Sequence, residues 1–205
     1  MKQLSIIILF LSVNAVNAQS YYFNFGQNFT KYDYKNSLGQ RNSNIKSDKG
    51  IIVDFGYQWN ISENEKWHYK AGLSFQQFNA TGKSATYDYS WKTDYLGIQN
   101  SLSYDIYTSN DEEVSVRIIA GFTGSKIIKG EQMINNTSYN LTKEEEFKGL
   151  FLQPHIGLEN EFLINESIKL GLGYRFSKAY RINSDSKESL NFINNSIYLN
   201  FKYSI

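Results

Sequence analysis

The stretch Ile168-Lys169-Leu170-Gly171-Leu172-Gly173-Tyr174-Arg175-Phe176-Ser177 alternates between an apolar or aromatic residue and a small, polar or charged one at every step. A repeat of two residues puts successive side chains on opposite faces of an extended strand, whereas a helix repeats every 3.6 residues. Read as a strand, this segment has one face of Ile168, Leu170, Leu172, Tyr174 and Phe176, and an opposite face of Lys169, Gly171, Gly173, Arg175 and Ser177.

Working outward, seven more stretches carry the same period. Tyr21, Phe23, Phe25 and Phe29 oppose Asn24, Gly26 and Asn28; Ile51, Val53, Phe55, Tyr57 and Trp59 oppose Asp54, Gly56 and Gln58. Trp67 to Phe75, Leu96 to Tyr104, Val114 to Phe122 and Leu150 to Phe162 repeat the pattern, and the last runs from Ile193 to Ile205. The apolar faces carry no charge. No stretch shows a convincing helical repeat. The connections alternate as well: long polar loops are expected at 31–49, 80–92, 127–147 and 181–190, and short turns near 62–66, 108–113 and 163–166. Long loops on one side and short turns on the other are the plan of an up-and-down barrel that spans an outer membrane.

Composition agrees. The chain of 205 residues has 16 Tyr and 14 Phe against one Pro, a bias that suits the pleated sheet. With no Cys there are no disulfides and no thiolate metal sites. At the N-terminus, Lys2, the apolar run Leu4 to Val13 and the small residues Ala15 and Ala18 read as a secretory signal peptide. That run is too short for a membrane-spanning helix, which needs about 20 residues. The expected division is therefore a signal peptide over 1–18 and one barrel domain over 19–205. Loss of Lys2 with the leader would bring the formal net charge from +1 to zero. No basic patch points to nucleic acid.

Period alone does not say which face points inward, since a lipocalin-like secreted carrier of a hydrophobic ligand shows the same alternation. Three features favour lipid outside. Gly26, Gly56, Gly72, Gly97, Gly121, Gly157, Gly171 and Gly173 lie on the polar face, and a narrow eight-stranded lumen needs small residues. Lys70, Arg117, Lys169, Arg175 and Lys202 on that face nearly balance Asp54, Asp105, Glu159 and Glu161, so a buried lumen could pair them. Tyr57, Trp59, Trp67, Tyr69, Tyr104 and Tyr203 gather at one set of strand ends on the apolar face, as interfacial girdles do.

The segment Tyr95-Leu96-Gly97-Ile98-Gln99-Asn100-Ser101-Leu102-Ser103-Tyr104 and the ending Tyr198-Leu199-Asn200-Phe201-Lys202-Tyr203 carry a resemblance. The mature region resembles the small outer-membrane β-barrel proteins of Bacteroidetes-type bacteria, PorT-like barrels among them, and more distantly OmpA/OmpX-type barrels. It departs from the PorT-like branch in having Gln99-Asn100 where that branch carries a Pro. It also ends in Ile205 rather than the usual Phe. The resemblance implies an all-β, eight-stranded antiparallel transmembrane barrel in the cell outer membrane, and leaves a secretion-accessory role open.

Candidate chemistry is sparse. His155 lies on the polar face, and a 162–168 pairing across the turn would set it opposite Arg175 and Glu161 opposite Lys169. Outer-membrane lipid A deacylases resemble the chain in size and use a His with a Ser two residues on, but here that position is Gly157. His68 reads as interfacial beside Trp67. Two His with no matching acidic cluster do not suggest zinc. The run Glu144-Glu145-Glu146 reads as a solvated loop, and the sequon Asn140-Leu141-Thr142 as a product of Asn-rich composition. No catalytic, cofactor-binding or metal residue is therefore assigned, and no cofactor is expected. The expectation is a non-enzymatic, monomeric barrel, structural or interaction-mediating. Its partners are outer-membrane lipid and lipopolysaccharide, and a surface protein or glycan through the long loops, above all 31–50 and 127–148. A lipid-modifying enzyme is the alternative beside the secreted carrier.

Overall fold

The computed structural model describes residues 20–42, 44–84, 86–111, 113–182 and 188–205. The expected signal peptide lies outside them. The described residues form strands and turns, in the order β1 (Ser20–Lys35), β2 (Ile45–Asn60), β3 (Trp67–Lys83), β4 (Asp88–Thr108), β5 (Val114–Ile134), β6 (Thr137–Asn140), β7 (Phe151–Asn165), β8 (Ile168–Arg181) and β9 (Ser189–Ser204). Neighbours run β4-β3-β2-β1-β9-β8-β7-β5, and β5 pairs back onto β4, so eight strands close into a barrel. All pairings are antiparallel. First and last strands meet along their length, from Ser20 opposite Ser204 to Lys35 opposite Ser189. The short β6 is an addition to the expected eight. It folds back on the tip of β5 through a tight turn at Asn135 and Asn136, both at positive φ (44° and 69°), the backbone that a two-residue hairpin requires.

The faces are those expected. Leu172 and Leu199 on the outer wall are 52% and 61% exposed, while Arg117 and Lys70 inside are each 1% exposed. That orientation is the reverse of a soluble carrier's, so the lipocalin-like reading fails. The girdle forms on the outside at the end bearing the termini, with Trp59 stacked on Tyr69 and Trp67 against Tyr104. Asn100, a polar residue on the lipid face, accepts a 2.5 Å hydrogen bond from the Tyr69 hydroxyl, which relieves the cost of placing an amide in hydrocarbon. The Pro lies where β7 and β8 skip direct pairing, between Leu152 opposite Tyr180 and His155 opposite Ser177, consistent with its missing N–H.

Two expectations need correction. Most of 31–49, 80–92 and 127–147 is strand rather than loop: β1 runs to Lys35, β2 starts at Ile45, β4 starts at Asp88 and β5 reaches Ile134. At this end β1 stops at Lys35 and β2 begins at Ile45, β3 stops at Lys83 and β4 begins at Asp88, β5 turns into β6 at 135–136 and is followed by the 141–150 segment, and β8 stops at Arg181 before β9 begins at Ser189. The β7–β8 register is also displaced by two residues. His155 faces Ser177, Gly157 faces Arg175, and Glu161 faces Gly171 rather than Lys169. The strands continue past Leu163 to a turn in which Asn165 Oδ1 accepts from the backbone N–H of Ser167 and Ile168. Only Glu166 and Ser167 lie between the paired Asn165 and Ile168, so the hairpin closes later than a turn at 163–166 would close it.

Above the apolar outer band the two faces exchange character. On β1 the outward Phe23, Phe25 and Phe29 give way to outward Lys31, while Tyr32 turns inward and is buried. The same exchange occurs on β9, β8 and β4, and it gathers Tyr32, Phe78, Ala80, Tyr95, Phe151, Ala179, Leu190 and Phe192 into an apolar core. Phe192 is its centre, with ring centroids 4.7 Å from Phe78, 4.9 Å from Tyr32 and 5.2 Å from Phe151. Leu141 and Phe147 fold in from the 141–150 segment and cap it. Inside the bilayer the barrel is inverted; beyond it, the barrel is built like a soluble protein.

Candidate functional site

The lumen fills from the terminal end upward. Four carboxylates and four cations cancel there. Arg117 binds Asp105 at 2.8 Å and Glu161 at 3.0 Å, and Glu161 also holds Lys202 at 2.5 Å. Lys70 meets Glu159 at 2.5 Å, and Arg175 meets Asp54 at 3.0 Å. Neutral partners complete them: Tyr198 donates to Glu159, Ser74 and Asn24 donate to Asp54, and Arg175 donates to Gln99. Lys169, grouped with these cations from the sequence, sits half-buried near the terminal rim and joins none of the ion pairs among the described residues. Two tyrosines share this space because glycines make room. A Cβ on Gly173 would lie 2.3 Å from the Tyr198 ring, and one on Gly72 would lie 2.7 Å from the Tyr22 hydroxyl. Above the charges, Gln153 donates to Gln76 and Ser177, and Thr30 donates to Asn194. The aromatic core follows.

His155 is part of this packing. It faces the lumen, buried, with Gly121 and Ser177 as its cross-strand partners. Ser177 is a hydroxyl that sequence spacing alone could not place beside it, but its Oγ accepts a 2.7 Å bond from Gln153 and is itself buried. Neither residue reaches the lipid-facing wall. His68 lies inside the terminal rim rather than at the lipid interface, with Nε2 3.0 Å from Asp105 and Nδ1 2.6 Å from Asn60. Among the described residues no group of three or more His, Asp or Glu could hold a metal ion.

An accessible concavity lies at the loop end. A cleft of about 200 Å³ opens above the aromatic core, walled by Tyr32, Tyr34, Trp91 and Phe147 and edged by Glu146 and Glu188. The elements that position these residues are the tips of β1 and β4, the capping segment 141–150, and the approach to β9. The Tyr34 hydroxyl donates to Glu188 at 2.5 Å. Partial burial, that hydrogen bond, and the charges of Glu188 and Glu146 push the Tyr34 phenol up to about 12, so it stays a neutral donor at physiological pH. Glu145, the neighbouring acid, pairs instead with Lys148 and Arg181. The sequence marked the Glu run and the 31–50 connection as separate loop features. Their convergence was hidden, because it depends on the strands continuing well past the lipid.

A closed, eight-stranded antiparallel barrel with an apolar outer band, an aromatic girdle and a charge-paired lumen defines an outer-membrane barrel protein. The family model described as "Outer membrane protein beta-barrel domain" matches residues 4–204, and the chain belongs to that family. No curated protein matches it. Among solved structures it is similar to Neisserial surface protein A, at 13% identity and a TM-score of 0.52 over 90% of this chain and 97% of that one. It is also similar to OprG from Pseudomonas aeruginosa, at 12% identity and a TM-score of 0.48 over 92% and 98%. A further match is Ail, the attachment invasion locus protein of Yersinia pestis, in complex with the heparin analogue sucrose octasulfate, at 11% identity and a TM-score of 0.45 over 91% and 99%. At such identities the likeness is one of fold. The protein resides in the outer membrane, and short turns facing the periplasm make the loop end extracellular.

Proposed function

We propose that the protein is a non-enzymatic outer-membrane barrel that closes its own lumen and acts through the surface at its extracellular end. The observation that carries this reading is the aromatic core centred on Phe192, stacked on a lumen already filled by ion pairs. Eight strands leave an interior that side chains can fill, and among the described residues ion pairs occupy one half and the aromatic core the other. That packing argues against a path for a solute and against a lumenal site open to lipid. His155 faces inward, away from any lipid acyl chain, which argues against a lipid-modifying reaction. Rigid scaffolds carry recognition on their connections, and the capped mouth with its cleft is the surface of that kind. Lipopolysaccharide and outer-membrane lipid surround the wall in this reading, and a glycan or protein is met at the mouth. The same reading takes 1–18 as the export signal, which the mass of the mature protein would check.

The test has three arms. Purified barrel in a planar bilayer should give no single-channel conductance, and His155→Ala cells should keep an unaltered lipid A profile. On glycan and protein arrays, cells displaying the barrel should gain binding that is lost when 141–150 is replaced by a short Gly/Ser link. Steady conductance, a changed lipid profile, or capture indifferent to the replacement would each overturn the proposal.

A further inference from the structure

We propose that Lys31, Lys49 and Lys178, with Asn195 between them, form a site on the outer wall for a phosphate group of lipid A, the anchor of lipopolysaccharide. The inference takes from the proposed function only that lipopolysaccharide meets the wall, and adds where and by what chemistry one head group is held. On β1 the apolar band ends at Phe29 and the next outward residue is Lys31; on β8 Phe176 is followed by Lys178. On β2 the outward run ends at Ile51 and continues to exposed Lys49, directly opposite Phe29. Two residues along a strand advance about 7 Å, which carries each ammonium to the level where hydrocarbon gives way to head groups. Lys31 and Lys178 flank Ile193 of β9 in one row. Two strand spacings, about 10 Å, separate their backbones, and Lys49 lies diagonally from Lys31 at about 7–8 Å. Lysine side chains reach a common anion from such positions. Asn195, outward between Phe29 and Phe176, accepts a 2.6 Å hydrogen bond from the Tyr174 hydroxyl through Oδ1. That bond orients the amide, and its Nδ2 hydrogens meet no acceptor among the described residues.

Charge selects the same ligand. None of the three lysines enters an ion pair among the described residues. The acids beside them are engaged elsewhere: Asp33 meets Arg41 at 3.1 Å, and Asp48 Oδ1 accepts from the backbone N–H of Lys49. The patch is also bounded. Past Phe75 on β3 and Leu96 on β4 come Gln77 and Asp94, bonded to each other at 3.0 Å, and past Ile156 on β7 come Pro154 and Leu152. At the terminal end of the same wall Tyr21 stands between Tyr57 and Tyr203, and no lysine takes part in that row. The basic group is thus confined to the extracellular border of β8, β9, β1 and β2, where acyl chains would run down over Phe29 and Phe176. An ammonium meets phosphate as a point charge, and basic clusters at a membrane surface recognise anionic head groups. A neutral head group offers three cations no counter-charge. A soluble acidic partner would have to descend to the lipid border to reach them.

The test uses the full mature barrel refolded in detergent, with bound lipid counted by native mass spectrometry. It is titrated with lipid A, with dephosphorylated lipid A, and with phosphatidylglycerol, a phosphodiester of single charge. Lipid A should bind saturably, and the other two at least about tenfold more weakly. The triple variant Lys31→Gln, Lys49→Gln, Lys178→Gln should lose about tenfold or more in lipid A affinity. Its Arg counterpart should keep the affinity, and Asn195→Leu should lose a smaller factor. A control triple, Lys66→Gln, Lys83→Gln, Lys143→Gln, removes the same charge away from the border and should leave binding unchanged. Each variant must retain the heat-dependent gel shift of a closed barrel. Equal binding of dephosphorylated lipid A or phosphatidylglycerol would overturn the assignment. So would an affinity unmoved in the first triple variant, or an equal loss in the control. Array capture through 141–150 reads the mouth separately. Lipid A binding absent from the wild-type barrel removes the patch alone, and capture absent removes the mouth reading alone.

Discussion

The half of the barrel inside the lipid and the half beyond it solve opposite problems with one continuous set of strands. Below, Leu170, Leu172 and Tyr174 face outward from β8 while Arg175 and its acid partner lie inside. Above, on the same strand, Lys178 faces outward and Ala179 packs inside. The backbone ladder does not change, because every N–H and C=O still needs a partner. What changes is the solvent around the wall. Hydrocarbon outside forces apolar groups out and leaves polar ones to satisfy each other within, and water outside restores the ordinary hydrophobic arrangement. One wall therefore encloses a polar network held by charge pairing and an apolar core held by packing.

Substitutions can break or sharpen this contrast, and the largest effect is expected in the charged half. Arg117→Ala leaves Asp105 and Glu161 without their shared guanidinium, and removing one partner of a buried ion pair costs about 3–5 kcal/mol. Urea unfolding followed by gel mobility should show a loss in that range, with Glu161 left to Lys202 and Asp105 left to His68. In the apolar half, Phe192→Ala opens a cavity among Phe78, Tyr32 and Phe151, and such truncations cost about 3–5 kcal/mol. The expected loss lies toward the lower end, because the capping segment 141–150 can settle inward. Next comes the outer wall. Leu172→Arg in the apolar band should cost about 2–4 kcal/mol, as cations do at the midplane of membrane barrels. The reverse change above the band, Lys178→Leu, should stay within about 0.5 kcal/mol, the scale of ordinary surface substitutions. Equal costs at Leu172 and Lys178 would mean that lipid and water do not divide the wall between them.

The same division governs what the sequence reveals. From Tyr21 to Phe29 the apolar residues hold odd positions, and from Tyr32 to Tyr34 they hold even ones. On β9 the odd run from Ile205 back to Ile197 yields to even Phe192 and Leu190. Each slip of phase reads as the end of a strand, although it marks only the end of the lipid. That is why eight membrane-spanning segments, their faces and the girdle were legible while the upper strands passed for loops. The charge balance of the lumen was legible too, but its pairing was not. Lys70 finds Glu159, and Asp54 finds Arg175, 121 residues away, and such partners follow from closure and stagger rather than from any local spacing. The β7–β8 register was missed because Asn165 makes a tighter turn than the polar run suggested. The cleft at the mouth was illegible for the same reason as the upper core that supports it.

The central claim is the exchange of faces along single strands, and solvent accessibility along β8 tests it directly. The chain contains no Cys, so single cysteines can be placed one at a time at Leu170, Leu172, Tyr174, Lys178 and Ala179 without background. In intact outer membranes or liposomes, a membrane-impermeant maleimide should label Lys178→Cys quickly and leave the Leu170, Leu172 and Tyr174 variants unlabelled. Ala179→Cys should stay unlabelled as well, sealed within the upper core. Rapid labelling of Leu172→Cys would contradict the lipid-facing band. Labelling of Ala179→Cys at the rate of Lys178→Cys would contradict the sealed upper core, and the lumen would then have to be treated as open.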